Sequence, residues 1–577
     1  MNNYLAMNKI PYFGQKFSLD EVFFMLKINR NLIKKRQCSL FLIFNIIFLI
    51  LYFKIISLQY LKEDELSVMA NSQYSYKESL TDAKYILYDC NGQQIMNYNK
   101  EYYVVISPDI FLKDNPDVNS ESMLTLIYTL RNYNEDYDLA KVGILNTSQK
   151  LYYQIDLSTY NKLKNIHDVN GFYIYEYSPL NRTGVWSIEN LLLNPKRTAD
   201  NTMKSKDSLE MKIYEKTRDN EKLQIVFERD ANGKIINEKT SLPENNVNVR
   251  LTLDKNIQNS IKEILNSSEN KNFGQIGVIL MEAGTGRIKA LVQKDDTKPN
   301  VNLGISTNHG FFPGSTFKVI VEEAGLDKNI IKTNDKFTST GLYGEENKKY
   351  NVLTSGEALA LSSNDVFAQI GNKVGFNNFY DNAKSQGLFE KVLNLDGEKE
   401  GLFEVKNPDS SDGSVGLAAI GQNIRITPIE AISIPNTVIN GGTYVKPYLL
   451  DAYVNDKNNT IEALSTESTS VIKKSTAEEM KNQMINVVKN GTGKSAYIDG
   501  MEVGGKTGST QRIELTGQNK NAEEHSDGWF VGFFKVYGKY YSMVVFVQDI
   551  DKDSESGGNT AAPIFKNIVL KIKPYLK

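Results

Sequence analysis

Pro313-Gly314-Ser315-Thr316-Phe317-Lys318 is the stretch that decides how this 577-residue chain is read. Ser315 and Lys318 are three apart, so on a helix they share one face, a turn from each other. A serine hydroxyl is a poor nucleophile at neutral pH and needs an adjacent base. A lysine amine can be that base only if burial or a nearby cation lowers its pKa. Pro-Gly before Ser suits a helix start, whose unpaired N–H groups can face developing negative charge. The same spacing occurs at Ser268/Lys271 and Ser470/Lys473, but in largely polar surroundings. Only Ser315 is framed by Gly, Phe and apolar residues on both sides.

Two more clusters lie downstream. In Leu361-Ser362-Ser363-Asn364 a hydroxyl with an amide two positions on could pass a proton and hold a substrate amide. A plain helix cap is the competing reading. Gly504-Gly505-Lys506-Thr507-Gly508-Ser509-Thr510 puts a lysine and hydroxyls among glycines. That pattern suits an edge strand closely approached by backbone or ligand, or a Gly-rich hairpin. Gly500 to Thr507 also matches the phosphate-loop spacing, but it neither follows a buried apolar strand nor opens a long helix.

Working outward, Val249–Leu253 reads as a strand and Lys255–Leu265 as a helix with Ile257, Ile261, Ile264 and Leu265 on one face. Ile276–Met281 and Ile288–Val292 read as a hairpin through Gly284-Thr285-Gly286. Trp529–Lys535 and Tyr541–Gln548 form a second apolar, β-branched and aromatic pair, with helical patterns between. Strands at both ends and helices in the middle imply a sheet closed by segments distant in sequence, beside a largely helical lobe. From Leu61 to Asn246 the chain is polar and Tyr-rich. Short alternating runs there, Lys84–Tyr88 and Lys222–Phe227, predict strands of a small mixed domain. Asn194–Lys206 reads as a loop, and a spacer or docking role suits this half.

Leu40 to Leu58 is the one strongly apolar run long enough to span a bilayer as a helix. Lys27, Arg30, Lys34, Lys35 and Arg36 precede it; Lys62, Glu63, Asp64 and Glu65 follow. The basic bias on its N-terminal side predicts a cytoplasmic N-terminus and an exterior remainder. No small-x-small cleavage site follows, so an uncleaved anchor is expected rather than a signal peptide. The expected divisions are a tail at 1–37, an anchor at 38–60, a pedestal at 61–246 and a catalytic domain at 247–577.

Composition excludes several classes. With 41% apolar and 24% charged residues the chain is an ordinary globular sequence, not a disordered one. A formal net charge of −2 gives no basic surface for nucleic acid. Cys38 and Cys90 cannot form a disulfide framework, and His167, His309 and His525 are too few and too scattered for a Cys/His metal site.

The order Ser-x-x-Lys, Ser-x-Asn, Lys-Thr-Gly resembles the penicillin-binding protein and serine β-lactamase superfamily. Other segments are similar to it as well. They are Leu251–Asp254 with Gln258, the hairpin Val278–Val292 (Glu282 standing where Asp is usual), Gly421-Gln422-Asn423 in place of Gly-Gln-Gly, Thr427-Pro428, Gly491-Thr492-Gly493, Trp529–Gly532 and Ala561–Phe565. Fainter likenesses lie at Asp89-Cys90-Asn91-Gly92 and Ser208-Leu209-Glu210. Anchor plus pedestal resembles the monofunctional class B, and no glycosyltransferase signature is present.

The resemblance implies an α+β multidomain architecture: one N-terminal transmembrane helix, an elongated mixed pedestal, and a transpeptidase domain with a central antiparallel sheet flanked by helices plus a helical lobe. It implies a peptidoglycan D,D-transpeptidase, acylated by β-lactams, with Ser315 as nucleophile and Lys318 as its base. Ser362 would relay the proton, Asn364 would hold the peptide amide and Lys506 would supply positive potential. Thr507, Gly508 and Ser509 would bind the substrate carboxylate, with the N–H groups of Ser315 and Ser509 as oxyanion hole. No metal or organic cofactor is implied. Implied partners are peptidoglycan stem peptides, β-lactam antibiotics and a polytopic membrane glycosyltransferase. A β-lactamase, a D,D-carboxypeptidase and a membrane-bound β-lactam sensor or scaffold are the alternatives.

Overall fold

The computed structural model describes residues 19–57, 75–144, 149–230, 234–241, 243–342, 351–516, 521–551 and 553–577. Continuous apolar runs, buried on both faces, build its central sheet. Along Gln275–Glu282, Val278 and Leu280 join a core with Ile257, Ile261, Phe565 and Ile568 of two helices. Ile279 and Met281, their alternates, join the opposite core with Phe317, Val319 and Val544. Trp529, Val531 and Phe533 against Phe530 and Phe534 repeat this division, as expected when successive side chains point to opposite faces.

The sheet has five antiparallel strands in the order Ile288–Gln293, Gln275–Glu282, Lys539–Ile550, Asn521–Val536, Val503–Thr516. Val503–Thr516 is therefore an edge. Helices Lys255–Leu265 and Ala561–Ile572 cover one face. The other face meets the helix Lys318–Asp327 and a helical lobe that includes Ser355–Leu361, Asn364–Val374, Phe376–Ser385 and Lys474–Asn490.

Upstream, strands Leu151–Ile155, Glu101–Ile106 and Phe172–Tyr177 form a sheet under helices Glu121–Tyr133 and Leu157–Leu163. A second sheet joins Ser75–Ser79, Gln224–Arg229 and Ile235–Ser241. Tyrosines fill the space between the two sheets: Tyr76 stacks on Tyr173 at 4.9 Å, and Tyr173 donates to the buried Glu78 at 2.6 Å. Only Leu87–Tyr88 of the run Lys84–Tyr88 is a strand, lying parallel to Asn248–Leu251; Ile86 leads into it, its N–H held by the Asn248 side chain at 2.9 Å instead of by backbone. The strand Asn248–Leu251 pairs on its other side with Leu450–Val454, outside the five-stranded sheet. The Asp89 carboxylate closes the next turn, accepting from Asn91 and Gln93 N–H at 2.9 and 2.7 Å. Cys38 and Cys90 are both free.

Among the described residues one helix, Leu19–Ile56, contains a segment long and apolar enough to cross a membrane, Ile33–Ile56. The helix runs back through the basic stretch, since Lys and Arg are good helix formers. Residues 58–60 of the predicted anchor and 1–18 of the predicted tail lie outside the described residues. Asn45 Nδ2 donates to the Phe41 carbonyl at 2.8 Å, so part of its polarity is met within its own helix.

Candidate active site

Ser315 lies in the 3-10 turn Gly314–Phe317, and the α-helix proper starts at Lys318. Residues three apart eclipse in a 3-10 turn, so Ser315 still shares a face with Lys318. Two glycines let neighbouring segments close on this turn. A Cβ on Gly421 (φ +82°) would sit 1.9 Å from the Gly314 carbonyl oxygen, and one on Gly508 would sit 2.7 Å from that of Pro313. Gly314 N–H donates to the Gly421 carbonyl at 3.2 Å. Asn423, two residues on, adopts φ 59°. Asn tolerates the left-handed region better than most residues, so the backbone keeps this turn where the family pattern has Gly.

Lys318 is fully buried. Its Nζ donates to the Ser362 carbonyl at 2.7 Å and to Asn364 Oδ1 at 2.8 Å, and lies 3.3 Å from Ser362 Oγ. Burial foremost, and then the charge of Lys506, hold the Lys318 pKa well below the ordinary lysine value. Lys506, also fully buried, donates to Ser362 Oγ at 2.9 Å and to the Thr507 carbonyl at 3.0 Å. Burial pushes its pKa down to about 7.

Ser362 ends the helix Ser355–Leu361 in the left-handed conformation, φ 60° and ψ 36°. For a residue other than Gly this is uncommon, and such conformations cluster at functional sites. The N-capping role belongs to its neighbour: Ser363 Oγ accepts from Val366 N–H at 3.4 Å and starts the helix Asn364–Val374. Ser362 is thus the C-cap of one helix and Ser363 the N-cap of the next.

Thr507, Gly508 and Ser509 lie on the edge strand beside the Ser315 turn. The Thr507 hydroxyl is 2.7 Å from that of Thr492, and Ser509 Oγ, on an exposed residue, accepts from Gly557 N–H at 3.1 Å. A serine oxygen that is accepting can still donate its own proton. The structure brings together Ser315, Lys318, Ser362, Asn364, Lys506, Thr507, Gly508 and Ser509. Ser268/Lys271 and Ser470/Lys473 are exposed. Thr492, Gly421 and Gly557 also belong to the site's construction. Thr492 and Gly421 sit in segments that resemble the family, but nothing local in the sequence marks Gly557. Among the described residues no group of three or more His, Cys, Asp or Glu could hold a metal ion.

Comparison with known proteins gives the class. Residues 276–570 match the penicillin binding protein transpeptidase domain, and the chain belongs to that family as a class B penicillin-binding protein. It is 26% identical over 393 residues to stage V sporulation protein D of Bacillus subtilis (strain 168), covering 63% of this chain and 59% of that one. It is 25% identical over 390 residues to the peptidoglycan D,D-transpeptidase FtsI homolog of Mesostigma viride, covering 60% of this chain and 65% of the relative. The chain therefore spans about three fifths of the length of these curated relatives. Two crystal structures share the fold across 87% of this chain and 97% of their own. They are a peptidoglycan synthetase from Bifidobacterium adolescentis ATCC 15703 (TM-score 0.59, 19% identity) and penicillin binding protein 3 from Mycobacterium tuberculosis, complexed with aztreonam (TM-score 0.56, 15% identity).

Proposed function

We propose that this chain is a membrane-anchored peptidoglycan D,D-transpeptidase that acts through an acyl-enzyme on Ser315. The observation that carries this reading is Ser362 Oγ set between two buried lysines, 3.3 Å from Lys318 Nζ and 2.9 Å from Lys506 Nζ. Lys318, neutral, takes the Ser315 proton as the hydroxyl attacks the carbonyl between two D-alanines. Ser362 passes that proton to the leaving D-alanine, and Asn364 holds the peptide amide. Lys506 raises the local potential, while Thr507 and Ser509 bind the terminal carboxylate across the short Gly508. The N–H groups of Ser315 and Ser509 stabilise the oxyanion, an effect of about 3–4 kcal/mol per donor in comparable enzymes. An amine of a neighbouring stem peptide then resolves the acyl-enzyme. β-Lactams acylate the same serine, and their leaving group stays tethered and blocks the acceptor.

The proposed division is a cytoplasmic tail at 1–37, an anchor at 38–60 whose helix begins at Leu19, an exterior pedestal at 61–246 and the transpeptidase domain at 247–577. A polymerase of glycan strands must work nearby, since tethering raises effective concentration to ~mM levels. A polytopic membrane glycosyltransferase that docks on the anchor and pedestal would meet that need. Asn45 retains its amide oxygen for an interhelical contact, worth about 1 kcal/mol in lipid.

The test is labelling with a fluorescent penicillin, followed by mass spectrometry of the adduct and analysis of cross-linked products. Ser315→Ala should abolish labelling while leaving the fold intact. A tag on Ser268, Ser362 or Ser470 would refute the assignment. Hydrolysed product without cross-links would make the enzyme a carboxypeptidase. For the partner, replacing the anchor by an unrelated helix or deleting the pedestal should reduce co-purification of the glycosyltransferase, and Asn45→Leu should weaken it only slightly. Unchanged recovery in all three would end the partner proposal.

A further inference from the structure

Glu322 lies one turn beyond Lys318 on the helix Lys318–Asp327 and is fully buried. A carboxyl in such a place is costly unless hydrogen bonds compensate it. Ser355 Oγ lies 2.7 and 2.6 Å from its two oxygens, and Gln483 Nε2 makes a longer contact at 3.4 Å. Ser355 is the first residue of the helix Ser355–Leu361, whose C-terminal cap is Ser362. That short helix is thus tied to the Lys318 helix at both ends, by Ser355 to Glu322 and by the Ser362 carbonyl to Lys318 Nζ at 2.7 Å. Gln483 belongs to the helix Lys474–Asn490. Beyond it, Thr492 N–H donates to the Ala360 carbonyl at 3.0 Å, and the Thr492 hydroxyl meets Thr507 at 2.7 Å. One buried carboxyl therefore touches the helices that lead into all three reactive clusters.

We propose that Glu322 is a positioning residue of the acylation step: through Ser355 it sets the placement of the Ser355–Leu361 helix, and so holds Ser362 between Lys318 and Lys506. A seven-residue helix is about 10 Å long and stiff, so a shift at Ser355 is delivered to Ser362. Misplacement of reacting groups by about 1 Å costs up to about a hundredfold in rate. This inference rests on the transpeptidase reading and deepens it, because nothing in the peptide-binding strand is involved.

The experiment measures the acylation rate constant and the apparent binding constant of a fluorescent penicillin separately, in the full chain, with the burst amplitude reporting the folded fraction. Glu322→Met and Ser355→Ala should each slow acylation about tenfold or more with little change in binding, and the double variant should be no slower than the slower single one. Glu322→Gln keeps an acceptor for Ser355 and should stay within about threefold of wild type. A merely structural role would reduce burst amplitude and melting temperature but leave the rate constant of the folded fraction unchanged, and that result would overturn the proposal. Additive losses in the double variant would overturn it too. If the wild-type chain itself took no label on Ser315, the transpeptidase reading would fail first. If wild type labels and Glu322→Met labels at the same rate, only the positioning role falls.

Discussion

Lys318 and Lys506 converge on one oxygen, Ser362 Oγ, at 3.3 and 2.9 Å. Two ammonium ions at such separations in a buried site repel strongly, since Coulomb energy scales inversely with the local dielectric. The pair is relieved when one amine is neutral: burial and the charge of Lys506 both lower the Lys318 pKa, whereas burial alone lowers that of Lys506. The site's chemistry depends on that asymmetry.

Lys318→Arg should therefore be nearly as damaging as Lys318→Ala. Arg keeps the charge but stays protonated below pH ~12, so it cannot act as a base. Rates of penicillin acylation check this. Near-normal acylation by the Arg variant would reduce Lys318 to an electrostatic group.

Acylation should also fall as pH rises through the titration of Lys506 in the free enzyme. Its pKa lies at about 7, and the cation that attracts the substrate carboxylate is lost above it. The second-order rate constant, measured from pH 5 to 10, should show a descending limb there. Lys506→Arg should remove that limb, because Arg remains charged throughout. A limb that persisted in the Arg variant would belong to another group.

The loop against the nucleophile turn makes opposite predictions two residues apart. Gly421→Ala meets the Gly314 carbonyl at 1.9 Å and should cut acylation tenfold or more, or unfold the region. Asn423→Gly, at φ 59°, should be close to neutral, whereas Asn423→Val should cost about 1–2 kcal/mol of stability. Acylation rates and thermal melts distinguish the three.

Glu323 provides a test on stability. Its carboxyl is fully buried, accepts from Gln386 Nε2 at 2.6 Å and from Asn382 Nδ2 at 3.2 Å, and burial pushes its pKa to about 8. A folded-state pKa raised above the ordinary 4.5 favours folding at low pH. That contribution is complete below about 4.5, erodes as pH rises, and is gone above about 8. Glu323→Gln is neutral at every pH and should be the more stable form at pH 8, by about 1 kcal/mol or a few degrees in melting temperature. The difference should narrow towards pH 5. A gap independent of pH would show that Glu323 does not titrate in this range.

Much of this protein is local and was therefore open to reading from the chain alone. Continuous apolar, β-branched and aromatic runs defined the strands around Val278, Trp529 and Val544, and period 3.6 defined Lys255–Leu265. Three short motifs in order picked out the candidate reactive residues, because nucleophile, base and anion-binding groups demand particular side chains. Burial is not local. Nothing near Glu322 announces that Ser355, 33 residues on, will donate to its oxygens, and nothing near Ser363 says that it will start the next helix while Ser362 ends the one before. The run Lys84–Tyr88 alternates like a full strand, yet only Leu87–Tyr88 forms one. The lysine pKa values arise from desolvation by helices distant in sequence and from the approach of Lys506 to Lys318 across 188 positions. Identity of the reacting groups was written in short segments, whereas their placement and protonation arise only when separated segments exclude water together.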